Sequence, residues 1–268
     1  MRTIHPRLRA ATFVVPLFVV ASAACDIAMA DLKEKETAEW RKTYELQPGG
    51  RLEIGNVNGK IDVRPGTGNT VEVVAEKIAQ GATKEAAREA LGRVEITEDA
   101  SPSLVKVETK LHKGTAGIFG GVNVQVQYSV RVPSNIEVHV STVNGGIDIS
   151  GVTGRVLAEA TNGGIRGREI AGPIDASTTN GGVDVELTKV AASGVKLETT
   201  NGGIKLRLPT DAKASISARI VNGGIDTEGF SIQGTGENSR RRLDGDLNGG
   251  GPRIQLEGTN GGISIRPR

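Results

Sequence analysis

One short phrase, Asn-Gly-Gly followed by an aliphatic residue, recurs along this chain and constrains what the chain can fold into. Four units align as VHVSTVNGGIDI, VLAEATNGGIRG, IDASTTNGGVDV and VKLETTNGGIKL, and LEIGNVNGKIDV, ISARIVNGGIDT and IQLEGTNGGISI extend the set. The asparagines of these repeat units are Asn58, Asn144, Asn162, Asn180, Asn201, Asn222 and Asn260. From Asn144 onward the units are 18 or 21 residues apart, and the last follows after 38. A repeat of this length is one supersecondary unit that buries its apolar face by stacking on its neighbours.

Each repeat unit has aliphatic residues at fixed distances from its asparagine. In the unit at Asn180 they are Ile174, Ala176 and Val183, which lie six and four residues before it and three after it. The intervening residues are largely polar, and this alternation is typical of strands with one buried face. The pattern predicts an all-β fold in which each unit is two short strands joined at Asn-Gly-Gly.

Two arrangements of these strands are compatible with the alternation. Asn-Gly is a strong hairpin signal, which permits an antiparallel β-hairpin meander or sandwich. We favour a parallel β-solenoid with two strands per coil of 18–21 residues, because stacked coils bury their own core and the chain offers almost no helix to cover a meander. In that arrangement the asparagines form an internal ladder of side-chain amides, and the glycines supply the positive φ of the corner.

Charges four residues after the asparagine also favour stacked coils. These residues change sign from one unit to the next and are Asp148, Arg166, Asp184, Lys205 and Asp226. Stacked in register, they become neighbours of opposite charge, each pair contributing a few tenths of a kcal/mol. Calcium binding or acid–base catalysis by the aspartates is the less favoured interpretation.

The rest of the chain divides into four segments. We predict a signal peptide over residues 1–30, a flexible linker over 31–39, and a strand-rich part over 40–135 that contains the first repeat unit. One helix is expected at about 83–91, with Thr83 as its N-cap and Gly92 as the left-handed residue after it. The repeats occupy 136–268 and are interrupted by a loop at 233–252.

The first 30 residues have the pattern of an export signal. A positive start is followed by an apolar stretch and by a small-x-small site that ends at Ala30. Lipid modification at Cys25, the single cysteine, is the less favoured alternative. We therefore expect a periplasmic or cell-surface protein that meets the membrane only through this segment or through a lipidated Cys25.

Composition excludes several functional classes. Removing residues 1–30 leaves 30 basic and 30 acidic residues, a balance unlike the strong basic bias of nucleic-acid-binding proteins. His112 and His139 have no second ligand at metal-binding spacing, and the chain after residue 30 has no cysteine for a thiolate site or a nucleophile. No catalytic residue, metal or cofactor is expected.

Three stretches are similar to a known family. They are PGGRLEIGNVNGKIDV, VQVQYSVRVPSNIEVHVSTVNGGIDI and GGGPRIQLEGTNGGISIR, and the likeness covers roughly residues 40–268. The chain resembles the bacterial "putative adhesin" family, an exported domain of unknown function with β-helix-like repeats. The resemblance implies an envelope or surface protein without established catalytic residues. Lys60, in place of the second glycine, departs from the family pattern.

These observations predict an exported, non-enzymatic scaffold for interaction or adhesion, whose partner is an envelope protein or a glycan. The alternatives are a carbohydrate-active β-helix enzyme, such as a lyase or hydrolase of acidic polysaccharide, and an envelope-stress accessory protein. Candidate interaction residues are Arg240, Arg241 and Arg242, which could contact an anionic surface, and Phe119 in a glycine-rich loop.

Overall fold

The structure is a computed structural model that describes residues 34–112, 121–235 and 238–268. These residues form nineteen strands and one short helix, so the predicted all-β class is confirmed. The first part contains β1 (Glu34–Glu45), β2 (Arg51–Asn58), β3 (Ile61–Pro65), β4 (Thr70–Gly81), α1 (Lys84–Gly92), β5 (Val94–Ser101), β6 (Leu104–Leu111) and β7 (Val122–Val132).

The repeats supply the remaining strands. They are β8 (Glu137–Asn144), β9 (Ile147–Ser150), β10 (Val156–Asn162), β11 (Ile165–Ile170), β12 (Ile174–Asn180), β13 (Val183–Leu187), β14 (Val195–Asn201), β15 (Ile204–Leu208), β16 (Ala214–Asp226), β17 (Ile232–Gly234), β18 (Arg242–Leu247) and β19 (Arg253–Pro267). β16 and β19 each run through their Asn-Gly-Gly corner without a break, so each spans a whole unit.

Parallel pairing between units builds two stacks of strands. Stack one consists of β6 and the strands before the asparagines, in the order β6, β2, β8, β10, β12, β14, β19 and β16. Stack two consists of β7 and the strands after the asparagines, in the order β7, β3, β9, β11, β13, β15, β19 and β16. Asn162 lies opposite both Asn144 and Asn180, so strands pair between units and the hairpin alternative is wrong for these coils.

The order of the last two units differs from their order in the sequence. β19 pairs with β14 and β15 on one side and with β16 on the other. The unit at Asn260 therefore lies between those at Asn201 and Asn222. The prediction that consecutive units are neighbours holds from Asn144 to Asn201 and is wrong at this end.

Aliphatic side chains from both stacks form one core. In the unit at Asn180 the predicted inward residues Ile174, Ala176 and Val183 are all buried, as the alternation requires. At the amino-terminal end α1 packs on β1 and β4 and buries Ala87 and Ala90.

The helix begins as predicted and ends differently. The Thr83 side chain accepts a hydrogen bond from the N–H of Ala86, as an N-cap does. Gly92 is the last helical residue, and Arg93 follows it with an ordinary φ of −90°. The predicted left-handed glycine after the helix is therefore wrong, and the Arg93 N–H closes the last turn by bonding to Ala90 O.

Antiparallel strands complete both ends of the stacks. β5 pairs with β6, β4 pairs with β7 and with β1, and β18 pairs with β16 and β17. Two segment predictions are thereby corrected: β1 begins at Glu34 inside the predicted linker, and the predicted loop 233–252 contains β18. The described part of the chain has no helix with the length and hydrophobicity needed to span a bilayer.

Candidate functional site

Six asparagine side chains form a chain of amide hydrogen bonds along the corner of the stack. Each Nδ2 donates to the Oδ1 of the next at 2.8–2.9 Å, in the order Asn222, Asn260, Asn201, Asn180, Asn162 and Asn144. Asn58 lies in register but instead donates to Val124 O at 2.7 Å. All six amides are exposed, so the ladder runs along the outside of the molecule and the prediction of an internal ladder is wrong.

Close packing explains the first glycine after each asparagine. A Cβ on Gly181 would lie 2.1 Å from the carbonyl oxygen of Gly163 in the neighbouring unit. A Cβ on the second glycine, Gly182, would lie 3.2 Å from Gly203 O. The predicted positive φ is confirmed at the first glycine of five units, which are Gly59, Gly145, Gly202, Gly223 and Gly261. It is wrong at Gly181, where the contact between backbones is the reason for glycine. Lys60 occupies the more tolerant second position.

A column of buried threonines, which the sequence reasoning missed, stabilises the corners. Thr178 and Thr199, each two residues before an asparagine, donate at 2.8 Å to the carbonyl oxygens of Gly163 and Gly181. In the first unit Asn56 takes the same place and donates to Gly59 O at 3.1 Å. In the unit at Asn144, Thr142 is buried in this position and donates to Gly59 O at 3.5 Å. The signal in the sequence is a threonine in this inward position, where the remaining units have Ala160, Ile220 or Gly258.

The outer side of stack two is a charged face, formed by the residues four and six positions after each asparagine. Arg166 binds Asp148 at 3.0 Å, and Asp184 is held by Arg168 at 3.1 Å and by Arg207 at 2.8 Å. Neighbours of opposite charge do meet here, although the partners of Asp184 come from the position two residues further along the strand.

The electrostatics of the charged face favour ionised, paired carboxylates. Burial opposes ionisation of Asp184, but the hydrogen bonds and charges of Arg168 and Arg207 outweigh it and lower the pKa of Asp184. Asp226 is likewise paired, with Arg266 at 3.1 Å. Lys205 lies opposite Asp184 in the sheet register. Pairing of this kind leaves these aspartates without the convergent geometry that acid–base catalysis needs.

The outer side of stack one carries a groove of about 520 Å³ across β12, β14, β19 and β16. Its lining has two outward rows, three residues and one residue before the asparagines. The first row is Ser177, Glu198, Glu257 and Arg219, and the second is Thr179, Thr200, Thr259 and Val221. We call this surface the threonine groove.

The polar groups of the threonine groove are arranged at the spacing of the strands. Glu198 lies opposite Glu257, which lies opposite Arg219. Lys196 binds Glu198 at 2.9 Å, and the Gln255 amide donates to Glu257 at 2.8 Å, so both carboxylates are held in place. Since β19 supplies Glu257, the order of units in the sequence does not reveal this row.

The predicted arginine cluster spans the turn before β18 and the first residue of that strand, Arg242. Arg242 binds Asp244 at 2.7 Å, while the backbone carbonyls of Arg240 and Arg241 accept hydrogen bonds from Ile225 and Ile220. The backbone of this turn thus covers the end of the stack and leaves the three side chains exposed. Phe119 lies outside the described residues.

The two histidines belong to different elements: His112 follows β6 and His139 lies in β8. His112 contacts Glu95 at 2.9 Å, and His139 lies on the outer side of stack one, where burial and the charge of Arg51 lower its pKa. Among residues 34–112, 121–235 and 238–268, no group of three or more potential ligands is placed to hold a metal ion.

Comparison with known proteins gives a family match over the repeats and a similar fold. The family described as Toastrack DUF4097 matches residues 134–266, whereas no curated protein matches significantly. A putative cell adhesion protein from Clostridium sporogenes is similar in structure, with a TM-score of 0.50, 13% identity, and coverage of 87% of this chain and 100% of that chain. A putative adhesin from Bacteroides fragilis matches with a TM-score of 0.38, 8% identity, and coverage of 86% and 97%. The family match covers residues 134–266 and thus the repeats from Asn144 to Asn260, and the likeness to the Clostridium sporogenes protein, at 13% identity, supports the fold alone.

Proposed function

We propose that this protein is an exported, non-enzymatic β-solenoid that serves as an interaction scaffold of the cell envelope or cell surface. The similarity in fold to a putative cell adhesion protein supports a role in surface interaction. The signal-like residues 1–30 support export to the periplasm or the cell surface. The paired carboxylates of the charged face support binding rather than catalysis.

The threonine groove is the observation on which the proposal rests. Its hydroxyl, carboxylate and guanidinium groups offer both hydrogen-bond donors and acceptors and repeat at the strand spacing of about 4.8 Å. A surface of this kind suits an extended polymer that carries hydroxyl groups along its whole length, and we assign it to a glycan of the envelope. Binding would rest on hydrogen bonds, since aromatic residues, the usual platforms for sugar rings, are 3% of the chain.

Glycan-array and cell-binding assays on residues 31–268 test the proposal. The double variant Thr200→Val and Thr259→Val removes two groove hydroxyls while keeping side-chain shape, and Arg219→Ala removes the guanidinium. Both variants should bind the glycan at least several-fold more weakly, because bound polar groups would lose their partners. Lys205→Ala on the charged face is the matched control and should bind as wild type does.

Three other outcomes would contradict the assignment. Equal binding by the groove variants and wild type would place the site elsewhere. Capture of a single envelope protein from extracts, without glycan binding, would favour a protein partner. Release of products from an acidic polysaccharide, abolished by Glu198→Gln, would favour the enzyme alternative.

A further inference from the structure

The carboxy-terminal strand β19 occupies an interior place in both stacks. Ile254 lies opposite Val195 on one side and Ile216 on the other, and Ile263 lies between Ile204 and Ile225 in the same way. The strand therefore fills a gap between two parallel edges, which we call the β19 slot. An empty slot would leave both edges with unpaired backbone groups, which strongly favour a new strand.

The chain enters β19 through a glycine-rich hinge at residues 248–252. Asn248, Gly249 and Gly250 have φ values of 51°, 87° and 80°, so the backbone here already uses the left-handed region. Because glycine reaches many conformations at little steric cost, this segment can redirect the strand that follows it. β19 is connected to the other described strands only through this hinge, and β16 is reached independently from β15 through residues 209–213.

The contacts inside the slot are those that any repeat unit makes. Asn260 donates to Asn201 Oδ1 and accepts from Asn222 Nδ2, both at 2.8 Å. The inward side chains Ile254 and Leu256 are fully buried. A β19 from a second molecule would bring the same residues in the same register, and exchange of an identical element is a low-cost route to a dimer.

We propose that β19 is an exchangeable arm, and that two copies of this chain associate when each inserts its residues 253–267 into the β19 slot of the other. The partner is a second copy of this chain, because its arm alone reproduces every contact of the slot. The inference is independent of what the threonine groove binds, although exchange would keep that groove complete by restoring Glu257 and Thr259.

A disulfide placed across the slot reports on exchange in the full chain. Lys196 and Gln255 are in-register neighbours on β14 and β19, at a strand spacing that suits a disulfide. In the Cys25→Ser background, the pair Lys196→Cys and Gln255→Cys links β19 to its slot within one molecule, or links two molecules when the arms are exchanged. The matched control is Asp175→Cys with Lys196→Cys, which joins β12 to β14 and involves no exchange.

The expected result is a covalent dimer that forms with the slot pair and not with the control pair. Before oxidation, samples are equilibrated at two protein concentrations that differ tenfold, under conditions that mildly destabilise the fold. While monomer predominates, the dimer-to-monomer ratio should rise about tenfold by mass action. Equal dimer yields for the two pairs, or yields that do not depend on concentration, would overturn the proposal. Native mass spectrometry of mixed labelled and unlabelled wild-type chains gives a second measurement, in which the absence of mixed dimers would also refute exchange.

Discussion

Replacement of Gly181 by alanine tests whether backbone contact sets the geometry of the corners. The added Cβ would lie 2.1 Å from Gly163 O and 2.5 Å from its carbonyl carbon, well inside van der Waals distance. These atoms belong to the backbone, so no side-chain rotation relieves the overlap. The two units must move apart or the corner must change conformation.

The cost follows from two contributions. Overpacking of a well-packed site costs about 1–3 kcal/mol. Displacing Gly163 O also weakens the hydrogen bond that it accepts from Thr178 at 2.8 Å, which contributes about 1 kcal/mol. Gly181→Ala should therefore lower the free energy of unfolding by about 2–4 kcal/mol, with Tm falling about 2–4 °C for each kcal/mol in a chain of this size.

Gly182→Ala is the matched control at the next residue. Its Cβ would meet Gly203 O at 3.2 Å, which a shift of a few tenths of an ångström relieves, and its φ is not positive. Reduced freedom of the unfolded chain offsets part of the strain, so the change should stay within about 1 kcal/mol of wild type. Chemical and thermal unfolding of both variants measures the difference. Equal effects of the two substitutions would refute the argument from close contact.

Three further predictions concern the ladders and the charged face. Thr199→Val should destabilise by about 1–2 kcal/mol because it leaves Gly181 O without its buried donor, whereas Thr200→Val on the outer row should stay within about 0.5 kcal/mol, both measured by urea denaturation. Asn180→Ala loses two amide hydrogen bonds and Asn222→Ala one, so the first should cost about twice as much by the same measurement, and equal costs would contradict a continuous ladder. The pKa of Asp184 is lower in the folded protein than in the unfolded chain, so this residue stabilises the fold at pH above its unfolded pKa, and that stability is lost as pH falls through its folded pKa. Wild type should therefore lose more stability than Asp184→Asn below about pH 4 in acid titrations followed by circular dichroism.

Strand periodicity predicted much of the fold because it follows directly from burial. The alternation around Asn180 places Ile174 and Val183 in the core, and the register of Asn162 with Asn180 follows from stacking identical patterns. The N-cap at Thr83 was likewise predictable, because a residue with a hydroxyl directly before a run of helix-forming residues commonly caps the helix.

Side-chain roles at the corners were harder to predict from the sequence. Asparagine and glycine occur in tight turns for conformational reasons, so these residue types alone do not distinguish a glycine with a left-handed conformation from one in close contact with a neighbouring carbonyl. Gly181 belongs to the second kind, and only the packing of adjacent units reveals it. Similarly, Thr178 and Thr179 are adjacent and identical in type, yet Thr178 is buried and donates to Gly163 O, whereas Thr179 is exposed.

The place of β19 shows why repetition limits prediction of order. Every unit presents the same aliphatic and asparagine positions, so the slot beside β14 accepts the unit at Asn222 or the unit at Asn260 with the same ladder contacts. Charge does not explain the observed choice, because the sequential order would have placed Arg219 beside Glu198, whereas the actual order places Glu257 there.

The connection between the last two units explains their order. Residues 227–252 form the strands β17 and β18, and β18 pairs antiparallel with the outer edge of β16. Because β18 covers the outer edge of β16, the unit at Asn222 is the last coil of the stack. The chain that follows β18 then pairs with the open edges of β14 and β15 on one side and of β16 on the other. Because the units are interchangeable, the sequence does not reveal their order. For the same reason, a second molecule can supply the strand in the proposed exchange.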